Sequence, residues 1–244
     1  VCSEASDIIL ADDDFSTIVK AVSSGRNIYD NLKKFTGFLL STNAAEVSIT
    51  LLAFIIMPFL GFGAPVVPLL ALQILLLNLI IDEMPAVALG LDPGRPELME
   101  RPPLKPREPL LSTGDWAMVF LTGAYIAFMT LAVFVSRSSD LTVARTMALA
   151  TLTSFELFNV MNFRSMKKSV IEVFFLGNKW MLFSIFASVA ILLITIYEPF
   201  MQETFGTAAL SLQELALCLA VGATVIPIVE IMKFLANRAA RSLG

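Results

Sequence analysis

VVPLLALQILLLNLIIDEMPAVALGL, residues Val66–Leu91, decides the fold. A helix rises about 1.5 Å per residue, so about 20 residues cross the ~30 Å hydrocarbon layer of a bilayer. This run is long enough. A membrane barrel strand would need about half the length and would alternate apolar with polar residues, which this run does not. Five further windows have the same character: Gly37–Phe59, Trp116–Ser136, Leu141–Asn162, Trp180–Tyr197 and Leu212–Leu235. The expected fold is therefore an all-α membrane protein with six transmembrane helices. Composition agrees, because only 16% of residues are charged and 57% are hydrophobic, whereas a soluble domain is about 25% charged. The lipid bilayer is the expected partner, and no nucleic acid is. Residues 1–34 are polar and acidic, unlike the basic-then-apolar opening of a signal peptide.

Basic residues set the orientation. If the segment before Gly37 is cytoplasmic, all of the 17 Lys and Arg except Arg137 and Arg145 fall on the cytoplasmic side. The positive-inside rule favours that arrangement, with both termini cytoplasmic. The cytoplasmic connection Asp92–Asp115 contains DPGRPELMERPPLKPREPL. So many prolines remove backbone donors that it is expected to be a non-helical strap. From Phe15 to beyond Phe54 there is no proline, so one long helix is expected to run from the cytoplasm into the membrane. Before it, Ser6–Ala11 reads as a short strand and Asp12-Asp13-Asp14 as a turn or helix cap. A lone strand is no domain, and the amino end reads as the edge of a larger soluble one.

Polar residues inside these spans carry the chemistry. A carboxylate at mid-bilayer costs about 2.5–3.5 kcal/mol even on insertion scales, and it marks function by default. Glu46, Asp82, Glu83 and Glu156 lie inside expected spans, with Asn43, Asn78 and Asn159 beside them. Asn43 with Glu46, Asn78 with Asp82, and Glu156 with Asn159 are spaced to share helix faces. Counted along the helices, Asn43 and Glu46 lie roughly 9 and 14 Å from the cytoplasmic side. Asn78, Asp82 and Glu156 lie roughly 12, 6 and 8 Å from it. Five oxygen-bearing side chains from three helices thus fall in one slab. Pro85 has no N–H to offer the carbonyl of Ile81, which becomes a further candidate ligand.

There is no histidine, and Cys2 and Cys218 are far apart. The ligand set is therefore oxygen, which suits hard cations, and calcium takes six to eight oxygens. The plain alternative is that these groups are hydrogen-bond glue between helices, the better reading for Asn159 and Asn162. Three converging carboxylates with no basic neighbour argue against glue for Glu46, Asp82 and Glu156. Glu83 faces a different side of its helix, as a neighbouring acid or a cytoplasmic rim. Glu230 is expected to pair with Lys233 or loop bases, and Trp116 and Trp180 to sit in the interfacial belt.

Glu4–Phe35, EASDIILADDDFSTIVKAVSSGRNIYDNLKKF, resembles the junction of the phosphorylation domain with the fifth transmembrane helix of a P-type ATPase. Ser41–Val47, STNAAEV, resembles that helix's cation-ligand motif. Leu72–Pro93, LQILLLNLIIDEMPAVALGLDP, followed by Met99–Leu111, MERPPLKPREPLL, resembles the sixth helix and the next loop of reticulum-type calcium pumps. The resemblance is strongest from Glu4 to Leu111 and mostly hydropathic after that. It implies that residues 1–35 are the end of an α/β phosphorylation domain with a stalk helix, and that residues 36–244 are the carboxyl-terminal transmembrane domain of a P-type cation-transporting ATPase.

By position, Asn43, Glu46, Asp82 and Glu156 match ligands of the first calcium site in such pumps, and Asn78 and Asp82 those of the second. Asn78 favours calcium, because sodium/potassium pumps carry an aspartate there. Ile81 stands where those calcium pumps have a threonine oxygen, and Glu83 where they have glycine. The implied cargo is calcium, with ATP and magnesium handled by a headpiece. The implied partners are the actuator, nucleotide-binding and phosphorylation domains and the first four helices. These residues hold no DKTGT, TGES or PEGL motif, so taken alone they are expected to bind a cation without hydrolysing ATP. Rival readings are a pump for sodium, protons, magnesium or manganese, and a stand-alone six-helix channel or carrier. The strand-like stub argues against the channel.

Overall fold

The computed structural model describes residues 14–60, 66–103, 107–166, 169–170 and 177–242. The strand expected over residues 6–11, the turn at 12–13 and the bases Lys105, Lys167 and Lys168 lie outside the described residues. Among the described residues every regular element is helical.

Helix α1 spans Phe15–Ile56 without a break, in keeping with its lack of proline. Asp14 caps it by accepting the Ser16 amide at 2.8 Å. It ends in the single 3₁₀ turn Met57–Leu60, where Pro58 sits.

The second span is not one regular helix. It consists of α2 (Ala71–Leu76), a π-helical turn (Leu77–Ile81) and α3 (Glu83–Gly90). Pro85 lies in the first turn of α3 and leaves the Ile81 carbonyl without its helical partner. Just ahead of it the ladder slips by one residue, and the Asp82 amide reaches back to the Leu77 carbonyl at 2.9 Å. The strap that follows holds only the 3₁₀ turn Pro96–Leu98 among its described residues. Arg26 of α1 pins it, donating to the carbonyls of Leu98 and Arg101, each at 2.6 Å.

Helix α4 (Thr113–Ser136) opens with a Ser112–Asp115 capping box, and α5 (Leu141–Phe163) is capped by Asp140. Next come α6 (Lys179–Tyr197), capped by Asn178, and the short α7 (Pro199–Phe205). The last expected span is two helices, α8 (Leu212–Ala223) and α9 (Val225–Ser242), parted at Thr224. Pro227 explains the break, since it cannot donate to the Ala223 carbonyl.

Helix α5 is the central post, packed against α1, α4 and α8. Seventeen of its 23 residues are buried, far more than one amphipathic stripe, which identifies a helix surrounded by protein. In lipid, helices associate through close packing of small residues. At Gly123 of α4 an added methyl group would lie 3.0 Å from the Ala44 methyl and 3.1 Å from the Ser41 carbonyl oxygen. Gly222 of α8 touches Ser154 so closely that no side chain fits.

Among the described residues five helical segments are long and apolar enough to cross a membrane, by length and composition: Phe15–Leu60, Ala71–Gly90, Thr113–Ser136, Lys179–Tyr197 and Leu212–Ala236. Helix α5 was the sixth expected span and is not among them. Thr146, Thr151, Thr153, Ser154, Glu156, Asn159 and Asn162 lower its hydropathy, and those side chains are buried in the bundle.

Candidate functional site

Three helices each bring one carboxyl group to the same interior region. Glu46 comes from α1, Asp82 from the end of the π turn, and Glu156 from α5. They are 6%, 1% and 0% exposed, so water does not screen them. Asp82 lies within electrostatic reach of both glutamates. Asp82 stands within reach of the Thr42 hydroxyl and the Glu156 carboxyl, but of the six carboxyl oxygens only Glu46 Oε2 accepts a direct hydrogen bond, from the Asn78 amide at 2.5 Å. Glu46 Oε1, both Asp82 oxygens and both Glu156 oxygens are buried without one. Buried polar groups in native proteins are satisfied with few exceptions. These five oxygens make no direct hydrogen bond, and among the described residues none of the three carboxyls is in an ion pair.

The π turn turns Asn78 towards Glu46, and the same amide donates to the Ile74 carbonyl at 3.1 Å. The freed Ile81 carbonyl accepts the Ser188 hydroxyl of α6 at 3.3 Å. A carbonyl oxygen has two lone pairs, so this contact leaves one available. Asn43 is not brought into the cluster. Its side chain is exposed on α1 and its amide folds back to the Leu39 carbonyl at 2.8 Å. Glu83 is half-buried in the first turn of α3. Among the described residues no three carboxyl, thiol or imidazole groups are already gathered tightly enough to hold a metal ion. A cation would have to draw these side chains inward.

Asn159 donates to the Ser41 hydroxyl at 3.0 Å, and Asn162 donates to Asn159 at 3.4 Å and to the Val225 carbonyl at 3.3 Å. Both asparagines join helices, the role expected of them. Glu230 accepts Lys233 at 3.3 Å and the Val170 amide at 3.0 Å. Trp116 and Trp180 are exposed, as residues of an interfacial belt are.

A second buried acid escaped the sequence reading. Asp92, 1% exposed, ends the second span. Its Oδ1 accepts Arg164 Nη2 at 2.9 Å and Asn178 at 3.0 Å, while Oδ2 accepts Lys34 at 3.2 Å. Asn31 of α1 donates to the Gly90 and Asp92 carbonyls at 3.1 and 2.8 Å. One carboxylate thus ties the middle of α1 to the ends of α3, α5 and α6. The available sequence signal was a base at the edge of two expected spans, Lys34 and Arg164, without an indication of their common target.

Residues 66–235 match the family described as "Cation transporting ATPase, C-terminus". Over 219 residues the chain is 36% identical to calcium-transporting ATPase 1 of Yarrowia lipolytica, covering 88% of this chain and 23% of that protein. It is 34% identical over 236 residues to the human calcium-transporting ATPase type 2C member 1, covering 96% of this chain and 25% of that protein. A Bacillus subtilis calcium-transporting ATPase is 35% identical over 215 residues, covering 86% of this chain and 23% of that protein. The chain therefore spans about a quarter of the length of these relatives.

Proposed function

The chain belongs to the cation-transporting P-type ATPases, matching their carboxyl-terminal region, and on that premise we propose that it is the transport segment of an ATP-driven calcium pump. With five apolar helices of spanning length, a protein of this family is a multi-pass integral membrane protein. In our reading α5 is the sixth span, shielded from lipid by its neighbours, and both termini face the cytoplasm.

One observation carries the proposal: five buried carboxylate oxygens from three helices make no direct hydrogen bond, and among the described residues no base pairs with them. A divalent hard cation supplies the missing charge and fills the empty acceptors at once. Glu46, Asp82, Glu156 and Asn78 would be its side-chain ligands, with the Ile81 carbonyl adding one oxygen. Asn43, one helical turn before Glu46, would join by turning its amide inward. A flexible set of carboxylates, amides and a carbonyl suits calcium, whereas magnesium demands near-octahedral geometry and gives up water reluctantly. The relatives named as calcium-transporting support the same cargo. ATP and magnesium would be handled by the actuator, nucleotide-binding and phosphorylation domains, with four further helices completing the membrane part.

The direct test titrates ATP-dependent phosphorylation of the full-length pump with calcium, magnesium, manganese and sodium. Calcium at micromolar levels or below is expected to trigger phosphorylation. Activation by sodium with calcium inert would overturn the cargo assignment and leave the pump reading standing.

A further inference from the structure

We propose that Ser188 of α6 is a positioning residue for the cation site, holding the peptide unit that carries Asp82. The proposal rests on the cation-site reading above and adds a residue from outside the three ligand-bearing helices.

A peptide unit is planar, so the Ile81 carbonyl, the Asp82 amide and the Asp82 Cα move together. In this chain both polar ends of that unit are held by unusual partners. The Asp82 N–H donates to the Leu77 carbonyl at 2.9 Å, a contact belonging to the π turn. The Ile81 carbonyl, deprived of its helical donor by Pro85, accepts the Ser188 hydroxyl at 3.3 Å. Ile81 and Ser188 are both 0% exposed, so water cannot replace the serine. The neighbouring helix thus fixes the orientation of the plane from which the Asp82 carboxylate projects. It also governs how the Ile81 oxygen is presented to a cation.

One turn earlier on the same helix, Ser184 provides an internal comparison. It is also buried, but its hydroxyl is used within its own helix, on the Met181 carbonyl at 2.8 Å. Removing that hydroxyl takes nothing from the second span. Asn178, at the start of α6, donates to the Ala88 carbonyl at 2.8 Å. Helix α6 therefore splints the interrupted span at two places, and only the Ser188 contact adjoins a candidate ligand.

The experiment measures calcium-dependent phosphorylation in full-length pump variants Ser188→Ala, Ser188→Thr and Ser184→Ala. Serine to alanine adds no bulk, and the maximal phosphoenzyme level at saturating calcium reports whether each variant folds. The expected result for Ser188→Ala is an unchanged maximum with half-activation shifted about tenfold to higher calcium, together with altered discrimination between calcium and manganese. Ser188→Thr keeps the hydroxyl and is expected within twofold of the parent protein, as is Ser184→Ala. A Ser188→Ala half-activation within twofold of the parent, or a shift matched by Ser184→Ala, would overturn the positioning role while leaving the cation site intact. Loss of the maximum in Ser188→Ala, with Ser188→Thr also defective, would assign the contact to folding instead. A parent protein with no cation-dependent phosphorylation would remove both this inference and the reading beneath it.

Discussion

Two groups of buried carboxylates sit in this molecule, and they are solved in opposite ways. Asp92 is surrounded by donors from its own chain, with Lys34, Arg164 and Asn178 all within 3.2 Å. Glu46, Asp82 and Glu156 are as well hidden, yet only Glu46 accepts a side-chain amide, and among the described residues no base pairs with them. Burial alone therefore does not distinguish a structural acid from a transporting one. The distinction is whether the protein supplies the countercharge. An acid neutralised internally locks helices together, whereas acids left open would, on the proposed function, keep room for a cation to arrive and leave.

The largest expected effect tests the closed side of that contrast. Asp92→Ala removes the carboxylate that both Lys34 and Arg164 bond in a buried site, leaving Lys34 its ion pair with Asp30 at 3.1 Å, and breaking a buried pair costs about 3–5 kcal/mol. Thermal unfolding in detergent is expected to show that loss, and a melting point within a degree or two of the parent would erase the proposed difference between the groups. On the open side, Glu46→Gln is expected to weaken calcium-triggered phosphorylation of the full-length pump at least a hundredfold, about 2.7 kcal/mol. Its cation-free stability should change little, because no internal partner loses its charge. A variant that melts early and keeps normal calcium affinity would reverse the assignment.

A double substitution sharpens the comparison further. Lys34→Met with Asp92→Asn removes one charge of each sign, so it should cost less than the sum of the two single changes. Coupling of about 0.5–3 kcal/mol is expected for groups in direct contact, and an additive result would show that the pair at 3.2 Å contributes nothing. The smallest effect concerns Ile81, which stands where the resembled calcium pumps carry a threonine oxygen. Ile81→Thr is expected to tighten calcium activation by a few-fold, within about 1 kcal/mol. Weakened activation at full expression would show that the added hydroxyl does not reach the cation.

Much of the architecture was legible in the sequence because it depends on local sums. The absence of proline announced α1, and Pro85 announced the disturbance at Ile81. Pro227 carried the same kind of signal for the break at Thr224, although the window there was read as one helix. The candidate acids were also visible, since a carboxylate inside an apolar run is conspicuous. The fates of the polar groups were less so. Spacings of three and four residues placed Asn43 and Asn78 each beside an acid, yet Asn78 bonds Glu46 and Asn43 returns to its own helix. Helix α5 ran the other way: its threonines and asparagines look too polar for lipid, and only its neighbours explain them.

From the sequence alone came five of the six expected spans, the candidate acids and the family resemblance, because hydropathy, residue type and short motifs are read over a few turns of one helix. The tertiary structure decided which carboxylates are neutralised and which stay open. Lys34 and Asp92 are 58 residues apart, Arg164 and Asp92 are 72 apart, and Ser188 meets Ile81 across 107. A countercharge acts through distance in space. Until the helices pack, no property of either residue states that they will meet.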